Sequence, residues 1–316
     1  MQSDRQWWDI GGVDTCVYDT GPAAGRPTIV MLHGGDPRSL SSALDWSTIW
    51  SPAALGARLV AYDKPGQGLS YSADLPDQAM GAAALCEHLE ALLDKLGTGP
   101  IVLMGHSRGA LPVAEAALRR PNRVAGLVLV SSNTLAPPSP QTPPEFYPRA
   151  YAAPPAEPTV EFVRREPDMN SYLTGHVDEL VAGRLSAAAE NGWWDDLDRR
   201  TRVYDTIVKQ ELEDLRVRVL AEIEQRGFDL PVLQIWGQND VSAPVSLAHD
   251  LFATVSARTL DCTSVVINRS AHYAYREHPS QFRALLATFV GELMSGRGRQ
   301  GELGGLRASR WPPAFR

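Results

Sequence analysis

Three residues of this sequence could together make an activated nucleophile: Ser107 in GHSRG, Asp240 in the turn GQND, and His272 in the segment INRSAH. A serine hydroxyl is a weak nucleophile at neutral pH and needs a base within hydrogen-bond reach. A carboxylate must then fix the imidazole tautomer and stabilise the imidazolium that forms. Gly105 and Gly109 flank the serine at two residues on either side, directly after the apolar run Ile101-Val102-Leu103-Met104. Small residues there let a strand and a helix cross closely, holding the hydroxyl out on a strained turn. A G-x-S-x-G pentapeptide also arises by accident, so the base, the acid and an anion site have to be found elsewhere in the chain.

Seven histidines compete for the role of base. His88, in a helical run, and His249, in a surface helix, read as solvated. His176 falls in a charged helical stretch, and His33 opens the turn His33-Gly34-Gly35, where an imidazole holds the loop. His106 adjoins the serine, but its side chain is expected to diverge from it. His278 precedes Pro279 at a helix start. His272 remains, in the loop after the strand-like TSVVI. Asp240 follows the strand-like PVLQIW, whereas the other loop that could carry the acid, after VAGLVLV, reads SSNT and holds no carboxylate. Asn-Asp also favours turns without any catalysis. The chain order Ser107, Asp240, His272 decides between these readings, because it is the order of the α/β-hydrolase arrangement. A developing oxyanion needs preorganised N–H donors. Arg108 offers its backbone N–H at the helix start, and Gly35, with Gly34 as the alternative, offers a second from a main chain that can approach closely.

These turns need a frame that collects them at one edge. Strand-like runs at Thr28–Leu32, Arg58–Tyr62, Ile101–Met104 and Val124–Val130 alternate with helical spacing over Met80–Leu96 and Ala110–Arg119. That alternation predicts an α/β fold with a mostly parallel sheet, whose functional groups gather at the C-terminal strand edge. The rhythm breaks after Val130. Nine of the 24 prolines lie between Leu135 and Pro158, and Glu161 to about Arg226 is charged and helix-like. The expected organisation is an α/β core over 1–134 and 227–296, an inserted helical cap over 135–226, and a disordered Gly- and Arg-rich tail over 297–316. A chain of 316 residues with 44% hydrophobic and 21% charged content can bury a large core. The net charge of −7 argues against a nucleic-acid surface. The three scattered cysteines lack metal-ligand spacing and fit a reducing compartment. The N-terminus lacks a signal-peptide pattern, and no run reaches the roughly 18 apolar residues of a membrane helix. A cytoplasmic protein without membrane or nucleic-acid partners is expected.

With these residues in hand, the chain resembles the α/β-hydrolase superfamily over about residues 10–294, and within it the meta-cleavage product hydrolases, which split a carbon–carbon bond in ring-opened aromatic catabolites. LHGGDPRSLSSALDW is similar to that family's oxyanion loop and the segment after it, and YDKPGQGLS to its next turn. WGQNDVSAP and INRSAHYAYREHPSQF resemble its acid turn and histidine segment. LTGHVDELVAGRLSAA resembles the cap segment bearing a substrate-binding arginine. The resemblance implies Ser107, Asp240 and His272 as triad, Gly35 and Arg108 as oxyanion donors, and Arg184 as anchor for a dienolate or carboxylate. Gly34 and Tyr273 become substrate contacts. An exposed arginine paired with Glu179 or Asp178 is the competing reading of Arg184. The sequence departs from the family at His106 and Asp45, where asparagines are usual, and at Tyr273, where tryptophan is usual. Asp45 would oppose an anionic substrate unless Arg184 or Lys64 offsets it. The implied reaction is hydrolysis of a small dienoate without cofactor or metal, by a chain that the resemblance suggests is a homodimer. An esterase or lactonase is the alternative, and a binding protein that has lost turnover a remote third.

Overall fold

The computed structural model describes residues 1–22, 24–139, 146–152 and 154–295. The tail expected to be disordered, 297–316, and part of the proline-rich connection lie outside the described residues. Eight strands form one sheet in the order β1-β2-β4-β3-β5-β6-β7-β8. They are β1 (Arg5–Ile10), β2 (Val13–Asp19), β3 (Thr28–Leu32), β4 (Arg58–Tyr62), β5 (Ile101–His106), β6 (Val124–Val130), β7 (Val232–Gly237) and β8 (Cys262–Ile267). The pairs from β4 to β8 are parallel; β1–β2 and β2–β4 are antiparallel. The inner parallel strands β3 to β6 read as largely apolar runs because both faces are covered.

Each strand sends alternate residues to opposite faces. Val30, Leu32, Val60, Leu103, Leu127 and Leu129 share one cluster with helices α1 (Ala82–Lys95) and α2 (Ala110–Arg119). Ile29, Met31, Leu59, Met104, Val128 and Val130 share the other with the turn Ala43–Ile49 and the C-terminal helix. Burying each such side chain contributes about 1.5–3 kcal/mol, which fixes register wherever both faces are buried. The sheet edge carrying the expected chemistry is therefore held rigidly.

The hairpin β1–β2 has no counterpart in the sequence reading. It turns on Gly11 and Gly12, both at positive φ (60° and 83°), between the partners Ile10 and Val13. A two-residue loop with two positive φ values matches the twist of paired strands. The hairpin also overturns the expectation that His88 is solvated. His88 on α1 is buried, with Nε2 2.9 Å from Thr15 Oγ1 of β2 and its ring against Tyr62. Burial pushes its pKa down to about 4.

Between β6 and β7 the described residues are helical, chiefly α3 (Val160–Met169), α4 (Val177–Asn191) and α5 (Lys209–Arg226). Thr159 caps α3, its Oγ1 accepting from Phe162 N–H at 3.2 Å. The stretch expected as a single cap packs in two ways. Helices α3 and α4 lie over the C-terminal strand edge, where Asn170 and Arg184 meet loops of the core. Helix α5 instead flanks the sheet, its Leu215, Val219 and Ile223 joining the cluster of α1 and α2. Arg226 Nη2–H donates to Leu118 O at 2.6 Å, tying α5 to the end of α2. Helices α6 (Val245–Ser256) and α7 (Pro279–Ser295) complete the two flanks. No described helix is long and apolar enough to cross a membrane.

Candidate active site

Ser107 follows β5 directly, at φ 52°, a left-handed conformation costly for a side-chain-bearing residue. The neighbouring glycines are dictated by backbone contact. A Cβ on Gly105 would lie 2.6 Å from Ala110 Cα, and one on Gly109 2.5 Å from the carbonyl oxygen of Leu32. Ser132 Oγ–H, from the loop after β6, donates to Ser107 O at 2.7 Å and braces the turn. Strand β5, the elbow and α2 thus hold the hydroxyl at the sheet edge.

Asp240 and His272 converge from the loops after β7 and β8. His272 Nδ1–H donates to Asp240 Oδ2 at 2.7 Å, and both side chains are buried. The other carboxylate oxygen accepts from Ser242 N–H (2.9 Å), Ser242 Oγ–H (3.1 Å) and Ala243 N–H (2.8 Å). This arrangement leaves Nε2 of His272 as the acceptor. Burial by itself would depress the imidazole pKa, but the charge and hydrogen bond of Asp240 outweigh it and raise it. Ser107 and His272 line one cavity without a hydrogen bond between them. Such contacts commonly tighten only when substrate is bound.

The loop after β3 supplies the third element. Gly35 sits at φ 74°, and a Cβ there would run into Ser39 Oγ and Ser41 Oγ. The Gly35 N–H has no acceptor among the described residues. Its carbonyl accepts from Lys64 Nζ at 2.7 Å. Burial, then Arg108, pushes Lys64 down to about 7. Gly34 lies against the elbow, where a Cβ would stand 3.0 Å from Ser107 Cβ and from His106 Nδ1. His33 holds the loop as expected, its Nδ1–H donating to Gly34 O at 2.9 Å and its Nε2 accepting from Lys64 N–H at 3.1 Å. The Arg108 side chain pairs with Asp36, which also accepts three bonds from Arg38. Arg108 and Arg38 hold the Asp36 carboxyl well below the usual range despite burial.

His106 does not turn out of the site. Its ring stands 4.5 Å from that of His272, centre to centre, and Nε2–H donates to the His272 carbonyl at 3.0 Å. Burial, then the neighbouring His272, keeps its pKa well below 6.5, so it stays neutral and acts as a brace.

Arg184 is not the exposed helical arginine of the competing reading. It is buried, with Nη1 2.8 Å from Glu166, Nη2 3.0 Å from Tyr273 OH and 3.4 Å from Asp45. The two carboxylates named in that reading lie elsewhere: Asp178 pairs with Arg164, and Glu179 accepts from Ser47 Oγ–H. Tyr273 is buried in the cavity wall, its hydroxyl 2.8 Å from Glu166.

Ser107, His272, Gly34, Gly35, Arg108 and Tyr273 line the cavity itself; Asp240 stands behind His272 and Arg184 behind Glu166. Sequence reasoning missed Glu166 and Asn170, which face the same cavity from the end of α3. Asn170 O accepts from His272 N–H at 3.0 Å. It also missed Glu277, whose carboxylate accepts from Ala271 N–H (2.8 Å) and from Tyr172 and Leu173 N–H (2.9 and 2.7 Å), tying the histidine loop to the cap. No spacing rule relates these residues; only the match of EHP to the histidine segment drew attention near Glu277. Among the described residues no group of three or more His, Cys, Asp or Glu could hold a metal ion.

Known proteins resemble the chain in sequence and in fold. A 2-hydroxy-6-oxononadienedioate/2-hydroxy-6-oxononatrienedioate hydrolase of Cupriavidus pinatubonensis is 28% identical over 288 residues, covering 86% of this chain and 89% of that protein. The structure of a meta-cleavage product hydrolase from Pseudomonas fluorescens superposes with TM-score 0.71 at 20% identity, covering 91% of this chain and 97% of the other. That of a 2-hydroxy-6-oxo-6-phenylhexa-2,4-dienoate hydrolase from Rhodococcus sp. gives 0.72 at 20% identity, covering 90% and 97%. A family model for the alpha/beta hydrolase fold matches residues 27–279, in keeping with the sheet order and the strand-edge site, and the chain belongs to that family.

Proposed function

We propose that the chain hydrolyses the carbon–carbon bond of a meta-ring-cleavage dienoate, a vinylogous 1,5-diketone, with Ser107, His272 and Asp240 as triad and the Gly35 and Arg108 N–H groups as oxyanion donors. The observation that carries the reading is the His272–Asp240 pair in one cavity with a serine held at φ 52°, backed by a buried guanidinium. The relatives named for dienedioate and dienoate hydrolysis support the substrate class. His272 Nε2 would assist ketonisation of the dienol. It would then take the proton of Ser107, or of a water that Ser107 orients, as oxygen adds to the ketone carbon. Collapse of the oxyanion breaks the carbon–carbon bond; the electron pair leaves on the dienolate, which is protonated in turn. One water is consumed, either as the attacking oxygen or in hydrolysing the ester left on Ser107, the acyl fragment gaining OH and the other fragment H. Gly34 and Tyr273 would contact the substrate. A small-molecule substrate, a cytoplasmic setting and a homodimer belong to the same reading.

Protonating His272 removes the acceptor that the reaction needs. Because Asp240 outweighs burial and raises this pKa, kcat/KM is expected to fall on the acid side through an apparent pKa above 6.5. A pH–rate profile checks this, and an acid limb at or below 6.5 would remove His272 as the titrating base.

An esterase acting through an acyl-enzyme is the second reading, favoured by one observation: Arg184 already faces Glu166 and Asp45. Turnover of a coloured ring-cleavage dienoate and of a p-nitrophenyl ester, measured on one preparation, separates the two. Under the dienoate reading Arg184→Gln is expected to cost about 2–4 kcal/mol in kcat/KM toward the dienoate, the scale of truncating one partner of a buried charged pair. The ester should lose far less, since its transition state leans on the oxyanion donors. Equal small losses on both substrates would leave the esterase reading the better one.

A further inference from the structure

The site already contains a bound carboxylate, and it belongs to the chain. Glu166 lines the cavity with Ser107 and His272. Its oxygens accept from Arg184 Nη1–H at 2.8 Å, from Tyr273 O–H at 2.8 and 2.9 Å, and from Asn170 Nδ2–H at 2.6 Å. A guanidinium, a phenol and an amide converging on one carboxylate form the recognition set that an anionic ligand would use. Burial opposes the charge, but Arg184 and these hydrogen bonds outweigh it and lower the Glu166 pKa. Asp45 lies 3.4 Å from the other terminal nitrogen of Arg184, so the guanidinium is flanked by two acidic groups before any ligand arrives.

Space leads to the same place. The cavity beside Ser107 measures only about 20 Å³, room for about one water molecule and far short of the ~300–1,000 Å³ of a small-molecule pocket. A substrate can enter only if wall groups move. Of the lining residues, Tyr151, Glu166 and Asn170 come from the cap, whereas the others follow strands of the sheet.

We propose that Glu166 is a specificity-determining residue, an internal carboxylate that competes with an incoming anionic ligand for Arg184 and Tyr273. A neutral ligand meets no such competition. A carboxylate ligand must displace Glu166 and leave it near Asp45, so Glu166 weakens the site's hold on a carboxylate without abolishing it. The proposal rests on the dienoate reading only in naming which natural substrates bring such a carboxylate.

Calorimetric titration with benzoate and with the neutral benzamide tests it without requiring turnover. Glu166→Gln is expected to bind benzoate ~10-fold or more tighter than wild type, with benzamide changed by less than about threefold. Glu166→Asp keeps the charge and is expected to hold benzoate near its wild-type affinity. Should the glutamine variant not fold, Glu166→Ala, which leaves Arg184 partnered by Asp45, carries the same expectation. Equal benzoate affinities in wild type and the neutral variants, no measurable benzoate binding to any of them, or equal tightening of benzoate and benzamide would overturn the proposal. Tighter benzoate binding in an enzyme that does not turn over the dienoate would keep Glu166 as selector and discard the carbon–carbon reading. Turnover with unchanged benzoate affinity would do the reverse.

Discussion

Ser107→Ala is expected to lower kcat by more than ~10³ on any hydrolysed substrate while leaving the fold intact, because triad members act as a unit and removing one forfeits most of the acceleration. The elbow gives the reason that the fold should survive. Its tightness comes from the backbone contacts of Gly105 and Gly109, which the substitution does not touch. Alanine carries the same Cβ into the φ 52° conformation, so the strain at position 107 is unchanged. The serine side chain makes no hydrogen bond that the core depends on, and the brace from Ser132 goes to the main-chain carbonyl. Steady-state rates on the dienoate and on an ester, with a melting curve as control, check both halves. Near-normal turnover of either substrate by a folded variant would remove Ser107 as nucleophile.

The parts of the site that could be read from the sequence are those attached to strands. Ser107, Asp240 and His272 each stand a few residues beyond a short apolar run, and parallel strands put such positions at a single edge. The hydrogen bond between His272 and Asp240 depends only on β7 and β8 being neighbours, which their chain order already favours. Gly35 was legible for a similar reason, since HGG follows β3.

What could not be read depends on how helices pack. Glu166 and Arg184 are 18 positions apart on different helices, and nothing in the charged stretch from Glu161 to Arg226 says which of its many charges turn inward. Arg184 was legible only through resemblance, and the reading from local spacing, a partner at Asp178 or Glu179, puts it on the wrong side of its helix. His88 shows the same limit. Helical periodicity gives it a face, but the hairpin that buries that face is held by β1, whose RQWWDI shows little alternation and is largely exposed. The Gly11-Gly12 pair between WWDI and VDTCVYD was the available signal.

Asp240→Asn is expected to cost ~10³–10⁴ in kcat, the scale seen when a triad aspartate becomes an amide, with KM little changed. The hydrogen bonds around the carboxylate fix how the amide must sit. One oxygen accepts from two backbone N–H groups and a serine hydroxyl, at Ser242 and Ala243. An NH₂ group turned toward those donors would face two N–H groups that have no hydroxyl's freedom to rotate, so the amide oxygen has to take that position. The NH₂ then occupies the place of Oδ2, 2.7 Å from His272 Nδ1. Nδ1 can no longer donate there and becomes an acceptor, which moves the ring proton to Nε2, toward Ser107. The imidazole is held in the tautomer that cannot take a proton from the nucleophile, and the charge that would stabilise its protonated form is gone. The same loss removes what lifts the His272 pKa against burial, so the acid limb of the pH profile should move down in the variant. Asp240 lies behind the imidazole and not in the cavity wall, which is why binding should be spared. Rates, KM and the pH profile of the variant test each step. Activity within about tenfold of wild type, or an acid limb that stays where it was, would place the partner of His272 at another carboxylate.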